Sequence, residues 1–156
     1  MEKLTMGTII LMIATFVFIF GIATGIYEHA FVMPAWFKSA PQSFALISEH
    51  DSIGKKFWIP LQILTLLSLV LALIFNWGNP TRRMLLIIPL VVYVFVATVS
   101  GAYFAPKILA WGKMDTAEAF SQALTDQSQH WLTLSWGLRE MPGAIASIIM
   151  LIALTI

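Results

Sequence analysis

The chain has 156 residues, of which 59% are hydrophobic and 11% are charged, and its formal net charge is +1. Soluble domains are about 45–50% apolar and about 25% charged, so this composition excludes an ordinary water-soluble protein and predicts a membrane protein. A near-neutral charge without a basic stripe also excludes nucleic-acid binding, and the absence of cysteine excludes disulfides, thiol chemistry and iron–sulfur clusters.

Four apolar windows of the chain predict transmembrane helices, because about 20 apolar residues are needed to cross a hydrocarbon core of roughly 30 Å. The first window is longer than the apolar run of a signal peptide and precedes no clear cleavage site, so we interpret it as a retained anchor. The second opens with Pro60 in its first turn, where the missing N–H is harmless. The predicted windows cover residues 6–26, 57–77, 84–104 and 131–155.

The connections between the windows determine the predicted topology. Residues 78–81 form a tight Gly-Asn-Pro-Thr turn, so the second and third windows should pair as an antiparallel hairpin. The other two connections are long and lie together on the side opposite the termini. The sequence therefore predicts a single all-α integral membrane domain, an antiparallel bundle of four transmembrane helices with both long loops on one side.

Both long loops are predicted to carry short helices. In the first loop, residues 42–49 follow a capping-box spacing, and we expect this helix to lie along the membrane surface. The second loop, residues 105–130, begins irregularly before a helix that Asp115 or Thr116 could cap. That helix is expected to run on into the fourth window.

Cations on the two sides of the membrane give opposing indications of orientation. Lys3, Arg82 and Arg83 lie on the side of the termini, where the two arginines are concentrated in one short turn. More lysines lie on the long-loop side, but they are spread thinly, and by count alone they favour cytoplasmic loops. We prefer cytoplasmic termini on the density of the arginine pair. The lysines of the long loops are Lys38, Lys55, Lys56, Lys107 and Lys113.

All three histidines fall on the long-loop side, and two of them adjoin a glutamate. Imidazole and carboxylate together are ligands for zinc, copper or non-haem iron. No HxxxH or ExxH spacing is present, so tertiary packing would have to assemble such a site. The alternative interpretation is that these side chains face water and lipid headgroups. The candidate metal ligands are His29, His50, His130, Glu28 and Glu49.

Arg139 and Glu140 interrupt the fourth window, where a charge near the membrane centre costs about 2.5–3.5 kcal/mol on insertion scales. Adjacent helical residues diverge by about 100°, so we expect the two to have separate partners. One interpretation is an anion-stabilising or proton-handling pocket beneath the long loops. The other is a snorkelling arginine with a structural ion pair. Candidate partners on the same half of the bundle are Glu28, Gln62 and Tyr103.

The chain resembles the anthrone oxygenase-like family of small four-helix membrane proteins, also called DUF1772. The resemblance implies a four-helix bundle and an oxygenase that acts on a polycyclic phenolic substrate without a well-defined cofactor. It rests on scattered positions along nearly the whole chain. These are Gly21–Ile26, Tyr27–His29, Val32–Pro34, Phe57–Trp58, Arg82–Arg83, Thr98, Pro106, Trp131 and Arg139.

Our first functional hypothesis is therefore an oxygenase-like oxidoreductase that binds a small hydrophobic aromatic substrate, either without a cofactor or with a metal held by histidine and carboxylate. Arg139 would stabilise a phenolate-like anion and a histidine would act as general base. The candidate catalytic residues are Arg139, His130, Glu28 and Glu140.

The alternative hypothesis is a non-enzymatic membrane subunit that packs against a partner or against a second copy of the chain. Gly21 and Gly25 form a GxxxG pair in the first window, which favours close helix packing or dimerisation. A transporter is disfavoured, because four helices without internal repeats offer little for alternating access.

Overall fold

A computed structural model describes residues 5–156 of the chain, apart from the side chains of residues 51–53. Lys3, which entered the prediction of orientation, lies outside the described residues. Within them the protein contains four long helices and no strand. A single 3₁₀ turn at Gln42–Phe44 precedes the second helix. The helices are α1 (Met6–Trp36), α2 (Ala45–Phe75), α3 (Pro80–Trp111) and α4 (Gln122–Leu154).

Each of the four helices is long and apolar enough to cross a membrane, as in a multi-pass integral membrane protein. They pack in chain order around a ring, which closes where α1 meets α4. The half of the bundle near the termini has a dry apolar core, and lipid-facing side chains such as Phe16 remain exposed. The predicted all-α four-helix membrane bundle is confirmed. The core includes Leu11, Ala14, Phe18, Leu69, Leu86 and Met150.

The second helix begins earlier than the sequence suggests. Residues 45–49 are the first turns of α2, which continues without interruption to Phe75, so the prediction of a separate surface helix over 42–49 is wrong. Pro60 consequently lies inside a helix and not in its first turn. The physical reason is tertiary packing, since Phe44 and Ile47 are buried against Trp111 and hold this part of the chain against the bundle.

The ends of α3 and α4 also differ from the predictions. Helix α3 continues through residues 105–111, which were expected to be irregular. Helix α4 begins at Gln122 because the Ser121 hydroxyl accepts the N–H of Leu124 at 3.3 Å, so the predicted cap at Asp115 or Thr116 is wrong. The carboxylate of Asp115 accepts the N–H of Ala117 in a local turn instead. The predicted run from this helix into the fourth window is confirmed.

Three of the four helices contain one five-residue π-helical turn, each in the half near the long loops. In α1 the N–H of Met33 donates to the Glu28 carbonyl five residues earlier, and Pro34 follows directly. Proline lacks an N–H and its ring clashes with the carbonyl four residues before it, and the wider π turn relieves both problems. The same order recurs at Pro106 and Pro142. The π turns are Glu28–Val32, Ser100–Phe104 and Trp136–Glu140.

The turn between α2 and α3 is fastened to the start of α1 by Asn76. Its side-chain amide donates to the carbonyls of Gly7 at 3.0 Å and Ala72 at 2.8 Å. Its oxygen accepts from the Arg82 guanidinium at 3.1 Å, and that guanidinium also donates to Thr8. The predicted hairpin of α2 and α3 is thus confirmed and joined to α1 at the terminal side of the bundle.

We expect Asn76→Ala to lower the free energy of unfolding by about 1–3 kcal/mol, because it removes the buried hydrogen bonds that Asn76 makes with the Gly7 carbonyl and with the Arg82 guanidinium. Unfolding in mixed detergent and SDS micelles, followed by circular dichroism, measures the change. Thr81→Ala at the exposed neighbouring position is the control and should stay within about 0.5 kcal/mol of the parent protein. Equal stabilities of the two variants would contradict this role of Asn76.

Candidate functional site: an aromatic-lined cavity beneath the long loops

A cavity of about 290 Å³ lies in the half of the bundle near the long loops. Its walls come from all four helices, and most of the lining is apolar or aromatic. A small number of polar side chains interrupts that lining, which is the usual composition of a small-molecule site. These polar residues include Glu28, His50, Gln62, Ser100 and Arg139.

Glu28 is held against α2 by Trp58 and His50. The indole N–H of Trp58 lies 3.1 Å from each carboxylate oxygen, and His50 Nε2 lies 3.3 Å from Oε1. The His50 ring packs on Trp36, with 5.3 Å between ring centroids. A carboxylate and an imidazole are therefore fixed side by side in the wall of the cavity.

Arg139 approaches the cavity from the π turn of α4. Its Nη1 donates to Ser135 at 3.2 Å, and its guanidinium carbon lies 5.5 Å from the centroid of the Phe104 ring, a cation–π distance. The carboxylates of Glu140 and Glu28 attract the guanidinium electrostatically. Its Nε is buried and makes no hydrogen bond with any described residue. Arg139 thus retains an unused donor beside the cavity.

Glu140 points away from this cavity and is only 4% exposed. Its Oε1 lies 3.9 Å from His29 Nδ1, and the His29 ring packs on Trp136. A Cβ atom at Gly25 would lie 2.9 Å from Glu140 Oε2, so glycine is what lets α1 pass this close to the carboxylate. The nearest contacts of the two side chains differ, since Glu140 contacts His29 and Arg139 contacts Ser135 and Phe104.

A second cavity of about 50 Å³ lies beside Glu140 and shares Arg139 and Gln62 with the larger one. The hydroxyl of Tyr93 donates to Gln62 Oε1 at 2.6 Å at its edge. The volume is enough for one or two water molecules. Arg139 therefore stands between a cavity of ligand size and a small polar one.

The GxxxG pair of α1 faces the interior of the bundle. Gly25 approaches Glu140, and a Cβ atom at Gly21 would lie 3.8 Å from a methyl group of Leu61 in α2. The motif therefore serves helix packing within one chain.

An aromatic roof covers the larger cavity on the long-loop side. Its rings are buried and pack mostly edge to face, at centroid distances such as 5.6 Å between Phe37 and Trp131. Trp131 is only 2% exposed, and its indole N–H has no partner among the described residues. The roof consists of Trp36, Phe37, Phe44, Phe104, Trp111 and Trp131.

Only some of the candidate site residues predicted from the sequence line a cavity in the structure. Glu28 and Arg139 line the large cavity, and Glu140 lines the small one. His130 and Glu49 are exposed, and neither lines either cavity.

Several contacts at the cavity were not predicted from the sequence. The hydrogen bond from Trp58 to Glu28 was missed because an interfacial tryptophan and a tryptophan that lines a cavity have the same flanking pattern. Tyr103, a predicted partner of Arg139, is exposed, and its neighbour Phe104 packs under the guanidinium instead.

The five candidate metal ligands are not gathered in one place. Among the described residues, no group of three or more histidines, aspartates or glutamates is positioned to hold a metal ion. Glu28 and His50 are the two candidates in direct contact. His29 contacts Glu140, which was not among those five.

The fold and the cavity define a helical membrane protein with an internal, mainly apolar cavity that is lined by one carboxylate, Glu28, and two cations, Lys55 and Arg139. Comparison of the chain with protein-family models, with curated proteins and with solved structures finds no match. The chemistry of the site therefore has to be inferred from its own geometry.

We expect Gly25→Ala to displace the Glu140 carboxylate from His29, because the new methyl group would overlap Oε2. The histidine ring signals in ¹⁵N NMR spectra of the detergent-solubilised protein report the change at His29. Gly21→Ala is the matched control, since its methyl group would make an ordinary contact. Identical His29 signals in both variants would refute this contact.

Proposed function

We propose that the protein is an oxygenase-like membrane oxidoreductase whose substrate is a small aromatic phenol or enol bound in the 290 Å³ cavity. The observation that carries the proposal is the placement of Arg139 and of the Glu28–His50 pair in the wall of one aromatic-lined cavity. The resemblance of the sequence to the anthrone oxygenase-like family favours the same class of substrate.

The size and lining of the cavity support this choice of substrate. Its volume is near the lower end of the roughly 300–1,000 Å³ range of small-molecule pockets. The rings of Trp36, Trp58, Phe104 and Trp131 offer faces and edges to an aromatic ligand. The free Nε–H of Arg139 offers a donor to its oxygen.

In the proposed reaction, the Glu28–His50 pair accepts the proton of the substrate hydroxyl. The hydrogen bond from the imidazole to the carboxylate orients the ring, as expected for a general base. The negative charge that develops on the substrate oxygen is stabilised by Arg139, and the mainly apolar lining of the cavity strengthens this attraction.

The anion formed in this way is electron-rich and is the species that dioxygen oxidises. For a substrate with a ring methylene group, one oxygen atom replaces the two methylene hydrogens as a carbonyl, and the other leaves as water. Substrate and dioxygen then balance without a further reductant. In the other version of the hypothesis, a metal held by Glu28 and His50 takes part.

We expect Arg139→Gln to reduce the oxidation rate by about 10²-fold or more, because it removes the charge that stabilises the anion. The measurement is oxygen consumption by the protein in lipid nanodiscs with a hydroxylated anthrone as substrate, after subtraction of spontaneous oxidation. Arg83→Gln is the control, because Arg83 stacks on Trp77 at the opposite end of the bundle.

Full activity of a folded Arg139→Gln variant would refute the proposal. If that variant fails to fold, Glu28→Gln tests the same site from α1 and should also lose activity. Elemental analysis of the parent protein and of His50→Asn reports whether a metal accompanies the Glu28–His50 pair.

We also propose that the termini face the cytoplasm. The support is the pair Arg82 and Arg83 in the short turn between α2 and α3, since positively charged short loops are retained on the cytoplasmic side.

The absence of cysteine makes this orientation directly testable. A membrane-impermeant maleimide applied to intact cells should label Thr116→Cys in the second long loop and leave Thr81→Cys unlabelled. Both threonines are exposed, so lysis should make both variants reactive. Labelling of Thr81→Cys alone in intact cells would contradict this orientation and place the termini outside the cytoplasm.

A further inference from the structure

We infer that the substrate reaches the cavity from the bilayer, through a gap between α2 and α3, and that it is a neutral phenol with an apolar tail that remains in this gap. The inference rests on the proposed function and adds to it the class of substrate and its route.

The route through the long loops is blocked by packed aromatic rings. The aromatic roof covers the cavity toward the long loops, and its members Phe37 and Phe44 are fully buried beneath the loop segments. Trp131 both lines the cavity and belongs to the roof. A ligand that arrived through the loops would have to separate these packed rings.

The side between α2 and α3 is open. Ile59 on α2 and Ala105 on α3 both line the cavity, and both are also exposed on the outer surface of the bundle, Ile59 by 57%. Both lie within helices that are long and apolar enough to cross a membrane, which favours contact of this surface with lipid. The cavity therefore reaches the bilayer between these two residues.

Both helices are irregular beside this gap. Pro60 follows Ile59 inside α2, and the π turn Ser100–Phe104 ends directly before Ala105 in α3. Proline and π turns each disrupt regular helix geometry and commonly cause a local bend. The small side chain of Ala105 leaves room for an alkyl chain between the helices.

The polar groups select the head of such a ligand. Glu28, Lys55 and Arg139 line the same cavity, so a carboxylate head would be attracted by the two cations but repelled by Glu28. A phenol hydroxyl is neutral, donates to the Glu28 carboxylate and accepts from the guanidinium, and its ring fits the aromatic lining. The contact with Glu28 and the aromatic lining together favour a lipophilic phenol over a fatty acid.

Ala105→Phe tests the gap without touching a polar group of the site. The ligands are a naphthol, the same naphthol with a dodecyl chain, and oleate, each added to the protein in phosphatidylcholine nanodiscs and dosed per lipid. Binding is followed by quenching of the tryptophan fluorescence, because Trp36, Trp58 and Trp131 line the cavity.

We expect Ala105→Phe to weaken binding of the dodecyl naphthol by about tenfold or more, and binding of the plain naphthol by less than about threefold. Ala110→Phe is the matched control, since Ala110 is exposed on α3 and does not line the cavity. If Ala105→Phe does not fold, Ile59→Phe replaces it, with Ile74→Phe as its control.

The outcomes separate the two proposals. Binding of plain naphthol with equal effects of Ala105→Phe and Ala110→Phe would overturn the route and leave the proposed function standing. No binding of either naphthol to the parent protein would overturn both. Oleate that binds more tightly than the dodecyl naphthol would overturn the phenol as the ligand.

Discussion

Charged groups at membrane depth must find their hydrogen bonds and counter-charges inside the protein, because lipid supplies none. Arg139, Glu140 and Glu28 impose this constraint on the whole bundle. Ser135 and Phe104 contact the Arg139 guanidinium, Gly25 and His29 surround the Glu140 carboxylate, and Trp58 and His50 hold the Glu28 carboxylate. All four helices contribute to this arrangement, so the charges determine how the helices approach one another in this half.

The π turns that precede the prolines help to orient these charged side chains. Each π turn inserts one extra residue per turn and thereby rotates the side chains that follow it relative to a regular helix. Glu28 opens the turn of α1, Phe104 ends the turn of α3, and Arg139 and Glu140 end the turn of α4. The irregular backbone is thus concentrated at the level of the cavity. In other proteins, too, π turns are frequent at functional sites.

The two halves of the bundle have different physical roles. Near the termini, Leu11, Leu86 and Met150 belong to an apolar core, and Asn76 fastens the turn that joins α2 to α3. Near the long loops, the packing is interrupted by a cavity and covered by an aromatic roof. The tightly packed apolar half can stabilise the half that contains the cavity. A ligand can bind inside the bundle only where the packing leaves such a cavity.

The number of membrane helices and the identity of the costly charges could be predicted from the sequence alone. Hydropathy over a window is a local property, and the thickness of the bilayer converts it directly into a number of helices. Arg139 and Glu140 are conspicuous because the residues on both sides of the pair are apolar. The recurrence of proline in or beside every window is also visible, although its link to π turns requires the backbone geometry.

Which side chains meet was decided only by the tertiary structure. His50 and not His130 contacts Glu28, Trp58 is a donor and not a mere interfacial anchor, and α2 starts fifteen residues before Pro60. Contacts between residues on different helices depend on helix rotation and crossing, to which a shift of one residue contributes about 100°. The sequence determined which groups need partners, and the packing of four helices with displaced registers determined which partners they found.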